Sequence, residues 1–187
     1  MRKLILIKHA RPQVNEGLPP EQWSLSEEGR RSCGPLADAL CVHDPALIVT
    51  STEAKARETG RLIGAALRRP VAVAENLHEH DRGNVPLLPG SEFISLMALF
   101  FKDRARLVLG RETAEQALCR FGAAVDSVLQ AHPQGNIAIV THGTVLALFA
   151  AGHGAGDAFQ LWRQMALPSA IVFAVPGFEL IAKMDKT

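Results

Sequence analysis

Short, wholly apolar runs recur along the chain, at residues 4–7 (Leu-Ile-Leu-Ile), 47–49 (Leu-Ile-Val) and 137–140 (Ile-Ala-Ile-Val). Runs of this length and β-branched content suit strands covered on both faces, as in a parallel sheet. A weaker strand is expected over residues 71–74. Residues 170–175 and 178–183 flank Pro176-Gly177. Pro then Gly fits the central positions of a type II turn, so a hairpin is expected there.

Helical patterns fill the intervals. Ser26 is a good N-cap, Glu27 and Glu28 suit the positive end of a helix dipole, and Cys33, Leu36, Ala37 and Leu40 form one face. Residues 52–67 repeat the pattern with Ala56, Thr59, Ile63 and Ala66. Thr113-Ala-Glu-Gln116 reads as a capping box, followed by Leu118, Phe121, Val125, Val128 and Leu129 at three-to-four spacing. Strand followed by helix, repeated, defines an α/β domain with a mostly parallel sheet. Such sheets bind ligands beyond the carboxyl ends of their strands, where strand order switches.

Composition narrows the partners. The 187 residues suit one domain, with no repeat or long linker, and 20 Lys and Arg against 19 Asp and Glu leave a charge of +1. That balance argues against nucleic acid or an anionic membrane as a partner, because those select a basic face, and leaves room for a small, locally basic pocket. The apolar run of residues 4–7 stops at Lys8, too short for a signal segment or a membrane span. Cys33, Cys41 and Cys119 form no paired motif, and reduced, buried thiols in a cytoplasmic protein are expected.

Two of the seven histidines stand out by position. His9 follows Leu-Ile-Leu-Ile-Lys and His142 follows Ile-Ala-Ile-Val-Thr; each precedes a small residue, Ala10 or Gly143. A small residue there lets backbone N–H groups approach an anion. Because parallel strand ends converge on one crevice, the two imidazoles are expected to meet around one bound group.

Residues 8–12, Lys-His-Ala-Arg-Pro, resemble the Arg-His-Gly opening of the histidine phosphatase superfamily, the phosphoglycerate mutase-like proteins. Leu25-Ser-Glu-Glu-Gly29 is similar to that family's Leu-Thr-x-x-Gly. Residues 50–59, Thr-Ser-Thr-Glu-Ala-Lys-Ala-Arg-Glu-Thr, resemble its Ser-Ser-Pro-Leu-x-Arg-Ala-x-x-Thr. Leu77-His-Glu79 matches a Leu-x-Glu element, and Thr141-His-Gly143 the second His-Gly. Order and spacing agree over residues 3–150.

The resemblance implies a three-layer α/β/α sandwich and a phosphomonoester hydrolase that needs no metal or other cofactor and acts on a small phosphorylated substrate. His9 would become a phosphohistidine, splitting a hard displacement into two steps. Glu79 would be the general acid and then the base, a role that favours a raised carboxyl pKa. His142, Lys8 and Lys55 would hold the phosphoryl oxygens, with Gly143 and Asn15 at the same group. Residues of about 80–112, which include Phe93, Leu96, Met97 and Phe100 at helical spacing, would form an insertion capping the site. The chain is short for the family's mutases, which favours a phosphatase.

The departures also carry information. The family places arginine at Lys8 and Lys55 and glycine at Ala10. Lysine keeps the charge but lacks the planar fork that grips two oxygens together. Arg11 is one candidate to compensate; Arg57 lies on the far side of its helix from Lys55. Two other readings therefore stand beside the hydrolase. One is a degenerate member that binds phosphorylated ligands with little turnover. The other is a metal-dependent hydrolase built on His78-Glu-His80-Asp81, although no third and fourth ligands follow at familiar spacing. His43, His132 and His153 lie in turn-like segments and are expected at the surface.

Overall fold

The computed structural model describes residues 1–86 and 88–184. Six strands, β1 (Arg2–Lys8), β2 (Pro45–Thr50), β3 (Val71–Val73), β4 (Asn136–Thr141), β5 (Ser169–Val175) and β6 (Glu179–Met184), form one sheet in the order β3-β2-β4-β1-β5-β6. Six helices pack on it: α1 (Glu27–Leu40), α2 (Ala54–Leu67), α3 (Gly90–Lys102), α4 (Ala114–Ala131), α5 (Gly143–Gly152) and α6 (Ala158–Gln164). This is the α/β architecture expected from the pattern. Strands β3, β2, β4 and β1 are parallel, while β5 runs antiparallel to β1 and β6 antiparallel to β5.

The apolar runs divide between two cores by their alternation. Leu4, Leu6, Ile137 and Ile139 face one side, with Phe100, Phe121 and Phe149. Ile5, Ile7, Ala138 and Val140 face the other, with Leu36, Leu40 and Ile63 of α1 and α2. Two-sided burial thus explains why these strands read as continuous apolar runs.

The helix signals act as expected at two N-termini. Ser26 Oγ accepts from the Gly29 N–H at 3.0 Å, and Thr113 with Gln116 closes a reciprocal capping box. On α2 the buried positions are Lys55, Ala56, Thr59, Gly60, Ile63 and Gly64, whereas Ala66 is exposed. The two glycines let the helix sit close to the sheet, which turns the buried face toward them. A β-carbon on Gly60 would lie 2.2 Å from Thr50 Cγ2.

Several expectations are corrected. Residues 143–152, read only as the sequel to His142, form α5, buried almost throughout. The hairpin joins β5 and β6, but its left-handed residue is Phe178 (φ 57°) rather than Gly177, so the turn is not type II. Cys33 is buried, whereas Cys41 and Cys119 are exposed. His43 is buried, and His153 is half-buried against Phe149 and Phe178, at ring separations of 4.5 and 4.6 Å. No helix among the described residues is long and apolar enough to cross a membrane.

Gly29 shows how the fold reaches the strand end that bears His9. The Arg11 carbonyl accepts from the Ser26 N–H at 3.0 Å, so the segment after His9 lies on the first turn of α1. A β-carbon on Gly29 would stand 2.2 Å from that carbonyl oxygen. Gly29→Ala should therefore lower stability by about 1–3 kcal/mol, as overpacking against backbone does. Urea unfolding measures this; an unchanged midpoint would show that the segment yields freely.

Candidate active site

The carboxyl ends of β1, β4 and β2 lie side by side. His9 N–H donates to the Thr141 carbonyl at 3.0 Å, and Ser51 N–H to the Val140 carbonyl at 2.9 Å. The ladder thereby places His9 and His142, each one residue past its strand, with ring centroids 5.1 Å apart. Thr59 fastens α2 to the same edge: its Oγ1 accepts from the Ala10 N–H at 3.0 Å and donates to the Lys55 carbonyl at 2.8 Å. A cleft of about 540 Å³ opens above, lined by His9, Lys55, Glu53, Glu79 and Arg82 among others, with Pro12, Pro20 and Trp23 at one side. His142 lies fully buried beside His9.

The protonation of His9 follows from its contacts. Nδ1 is 2.8 Å from the Ala10 carbonyl oxygen, which can only accept, so the proton sits on Nδ1. Nε2 then keeps its lone pair. Burial, then the neighbouring His142, and further Lys55, bring the His9 pKa down to about 3 despite that carbonyl. His142 is also lowered to about 3, by burial first and by Lys55 second, with Glu79 opposing. Both imidazoles are therefore neutral at neutral pH. His142 Nε2 faces Ser51 Oγ at 2.8 Å and Glu53 Oε1 at 3.4 Å, while its buried Nδ1 has no partner among the described residues.

Glu79 departs from the expected raised carboxyl. Burial alone would push it up. The Arg82 guanidinium 3.8 Å away, His142, and the N–H groups of His80 and Thr144 outweigh burial and hold it down at about 2. The N–H groups of Thr144 and Val145, at 3.1 and 3.4 Å, belong to the first turn of α5, whose dipole favours an anion there. The segment that carries Glu79 is itself fixed: Leu77 is wholly buried and its carbonyl accepts from Thr141 Oγ1 at 2.8 Å. Arg120, paired with Glu112, donates to the carbonyls of Asn76, His78 and Glu79 at 2.9, 3.0 and 3.2 Å.

The other expected residues are distributed unevenly. Lys55 lines the cleft, pairs with Glu53 and donates to the Pro20 carbonyl at 2.8 Å. The Lys8 ammonium donates to the Met165 carbonyl at 2.9 Å, and its stem packs against Gly143, where a β-carbon would lie 3.2 Å from Cε. Neither Lys8 nor Gly143 is among the residues that line the cleft. Asn15 is exposed outside it and caps its own turn, accepting from the Gly17 N–H at 3.0 Å. Arg11 is also outside, paired with Glu28 at 3.4 Å.

Two guanidinium groups line the cleft, those of Arg82 and Arg111; besides Glu79, Arg82 has Thr144 Oγ1 at 3.4 Å, Met97 Sδ at 3.7 Å and the Phe93 ring at 5.2 Å. Sequence reasoning passed over Arg82, although it directly follows the His78–Asp81 cluster. It also passed over Glu53, which stands where the resembling pattern has leucine. His80 is buried, with Nε2 3.0 Å from the Glu112 carbonyl. Among the described residues no group of three or more His, Cys, Asp or Glu stands so as to hold a metal ion.

Fold and site together define an α/β sheet with a cleft at its carboxyl edge, where two histidines meet. Residues 4–175 match the Histidine phosphatase superfamily (branch 1), and the chain belongs to that family. Solved structures agree over nearly full length. A mycobacterial glucosyl-3-phosphoglycerate phosphatase in complex with inorganic phosphate is 19% identical, with a TM-score of 0.78 and 100% of this chain and 98% of that one covered. Bacillus stearothermophilus YhfR is 24% identical, with a TM-score of 0.76 and coverage of 99% and 96%. A phosphoserine phosphatase mutant from Entamoeba histolytica, in complex with phosphoserine, is 16% identical, with a TM-score of 0.77 and coverage of 98% and 97%. These likenesses concern the fold. No curated protein sequence matches the chain.

The buried ionisable groups link the site to acid stability. His9 and His142 titrate in the folded chain near pH 3 instead of 6.5, so the unfolded chain takes up protons first as pH falls below 6.5. Glu79 adds stability above pH 4.5 that is lost on falling toward 2. All three signs agree: stability should decline from pH 6.5 to about 3. Urea unfolding across this range should give a shallower decline for His9→Gln than for the native chain. Parallel declines would contradict the neutral assignment of His9.

Proposed function

We propose that the chain hydrolyses a phosphomonoester of a small metabolite through a phosphohistidine on His9, without a metal ion. The observation that carries this reading is the His9 ring itself: it lines the cleft, is neutral, and is held by the Ala10 carbonyl so that Nε2 is unprotonated. Nε2 attacks phosphorus in line as the bond to the leaving oxygen breaks, and Glu79 supplies the proton that oxygen needs. Water then attacks the phosphohistidine, gives a proton to Glu79, and orthophosphate leaves with the P–N bond broken.

Glu79 is a carboxylate in the unliganded cleft. An anionic phosphoryl group beside it raises its pKa, as a like charge does, so substrate binding is what loads the acid. Lys55, Arg82 and the His142 ring supply the donors that stabilise charge on the phosphoryl oxygens in flight. We further propose that α3 and its flanking segments, about residues 80–112, cap the cleft, because Phe93 of α3 packs under Arg82. A binder with little turnover remains the second reading, favoured by the Lys8 ammonium being directed to the Met165 carbonyl.

Rapid quench with labelled substrate should trap acid-labile, base-stable phosphate on the native chain. His9→Ala should fold, trap none and lose activity by a factor of about a thousand or more, as loss of a nucleophile does. Full activity in His9→Ala would overturn the mechanism. Glu79→Gln should slow alkyl phosphates more than activated aryl phosphates, which need less protonation of the leaving oxygen. Equal slowing would make Glu79 a positioning group only.

A further inference from the structure

Glu53 stands at the N-cap of α2, yet its carboxylate does not cap the helix. It turns into the cleft and is buried there. One oxygen pairs with Lys55 Nζ. The other accepts from the Glu79 N–H at 2.8 Å and lies 3.4 Å from His142 Nε2. The carboxylate thus already engages Lys55 and lies against His142, two of the groups on which the proposed hydrolysis relies.

A carboxylate and a phosphoryl group are both anions that accept hydrogen bonds, and they cannot share the same donors at contact distance without strong repulsion. We infer that Glu53 is the specificity-determining residue of the cleft, a resident carboxylate that a phosphoryl group must displace from Lys55 and His142 in order to bind. The inference rests on the phosphatase reading and sharpens its substrate class. Free orthophosphate, a compact dianion with nothing else to contribute, meets this competition in full and should bind weakly. A phosphate ester can offset the displacement with contacts of its organic part at the cleft mouth, where Pro12, Pro20, Trp23 and Arg111 lie. The site is thereby matched to esters with a substantial organic group, and it releases its phosphate product readily.

The test is calorimetric titration of the full-length protein with orthophosphate and with orthovanadate, comparing the native chain with Glu53→Gln and Glu53→Asp. Glu53→Gln keeps the shape and removes the charge, so it should bind both anions about tenfold tighter or more, about 1.4 kcal/mol. Glu53→Asp withdraws the carboxylate by one methylene and should lie between the two. Circular dichroism confirms folding; should Glu53→Gln fail to fold, tighter binding by Glu53→Asp supports the inference and equal or weaker binding overturns it. Equal or weaker binding by a folded Glu53→Gln also overturns it, and would mean that Glu53 serves to position Lys55. A native chain that forms the phosphohistidine while Glu53→Gln gains nothing overturns this inference alone. If the native chain and both folded variants bind neither anion at millimolar concentration, the phosphatase reading falls with it.

Discussion

The hydrogen-bond ladder between β1 and β4 is the constraint on which the site depends. Lys8 pairs with Thr141 at its end, and the next N–H, that of His9, still finds the Thr141 carbonyl at 3.0 Å. Parallel pairing makes both strands stop at the same edge, so two residues 133 positions apart in the chain bring their imidazoles to 5.1 Å. Neither ring pays for this placement with an exposed loop, because Thr59, Leu77 and Thr141 tie the neighbouring segments to the same edge. Burial then does the chemistry of protonation: it keeps both rings neutral where water would allow them to charge.

Electrostatic balance in the cleft is set by its least exposed charges. Arg82 and Lys55 face two carboxylates, Glu79 and Glu53, with the first turn of α5 adding the partial positive charge of its N–H groups. Glu79 is held ionised by this arrangement, so the acid role proposed for it depends on an anion arriving. Lys8, by contrast, directs its ammonium to a backbone carbonyl near α6.

Much of this was legible in the sequence because it rests on local rules. The apolar runs of β1, β2 and β4 are short and β-branched, Ser26 and Thr113 are caps with side chains of the right kind, and the strand-end histidines share one context. What was missed depends on tertiary surroundings. Helix α5 is apolar on every side because it is buried on every side, so it has no amphipathic period to detect. Gly60 and Gly64 outweigh Ala66 on α2 because close approach to the sheet, rather than side-chain hydrophobicity, decides which face is buried. Glu53 and Arg82 are ordinary charged residues in sequence, and only the convergence of α2 with the segment after Leu77 brings them to the cleft. The lowered pKa of Glu79 has the same origin: Arg82, then His142 and the N–H groups of His80 and Thr144, hold it down, and the last comes from a helix the pattern does not reveal.

The central claim is that His9 is a neutral imidazole with its proton on Nδ1 and a free lone pair on Nε2. Nitrogen-15 chemical shifts of the histidine rings, followed by NMR through a pH titration of the unliganded protein, test it most directly. The account predicts that His9 shows the Nδ1–H tautomer at neutral pH and takes up its second proton only near pH 3. A His9 that carries its proton on Nε2, or that charges near its ordinary value of 6.5, would contradict it.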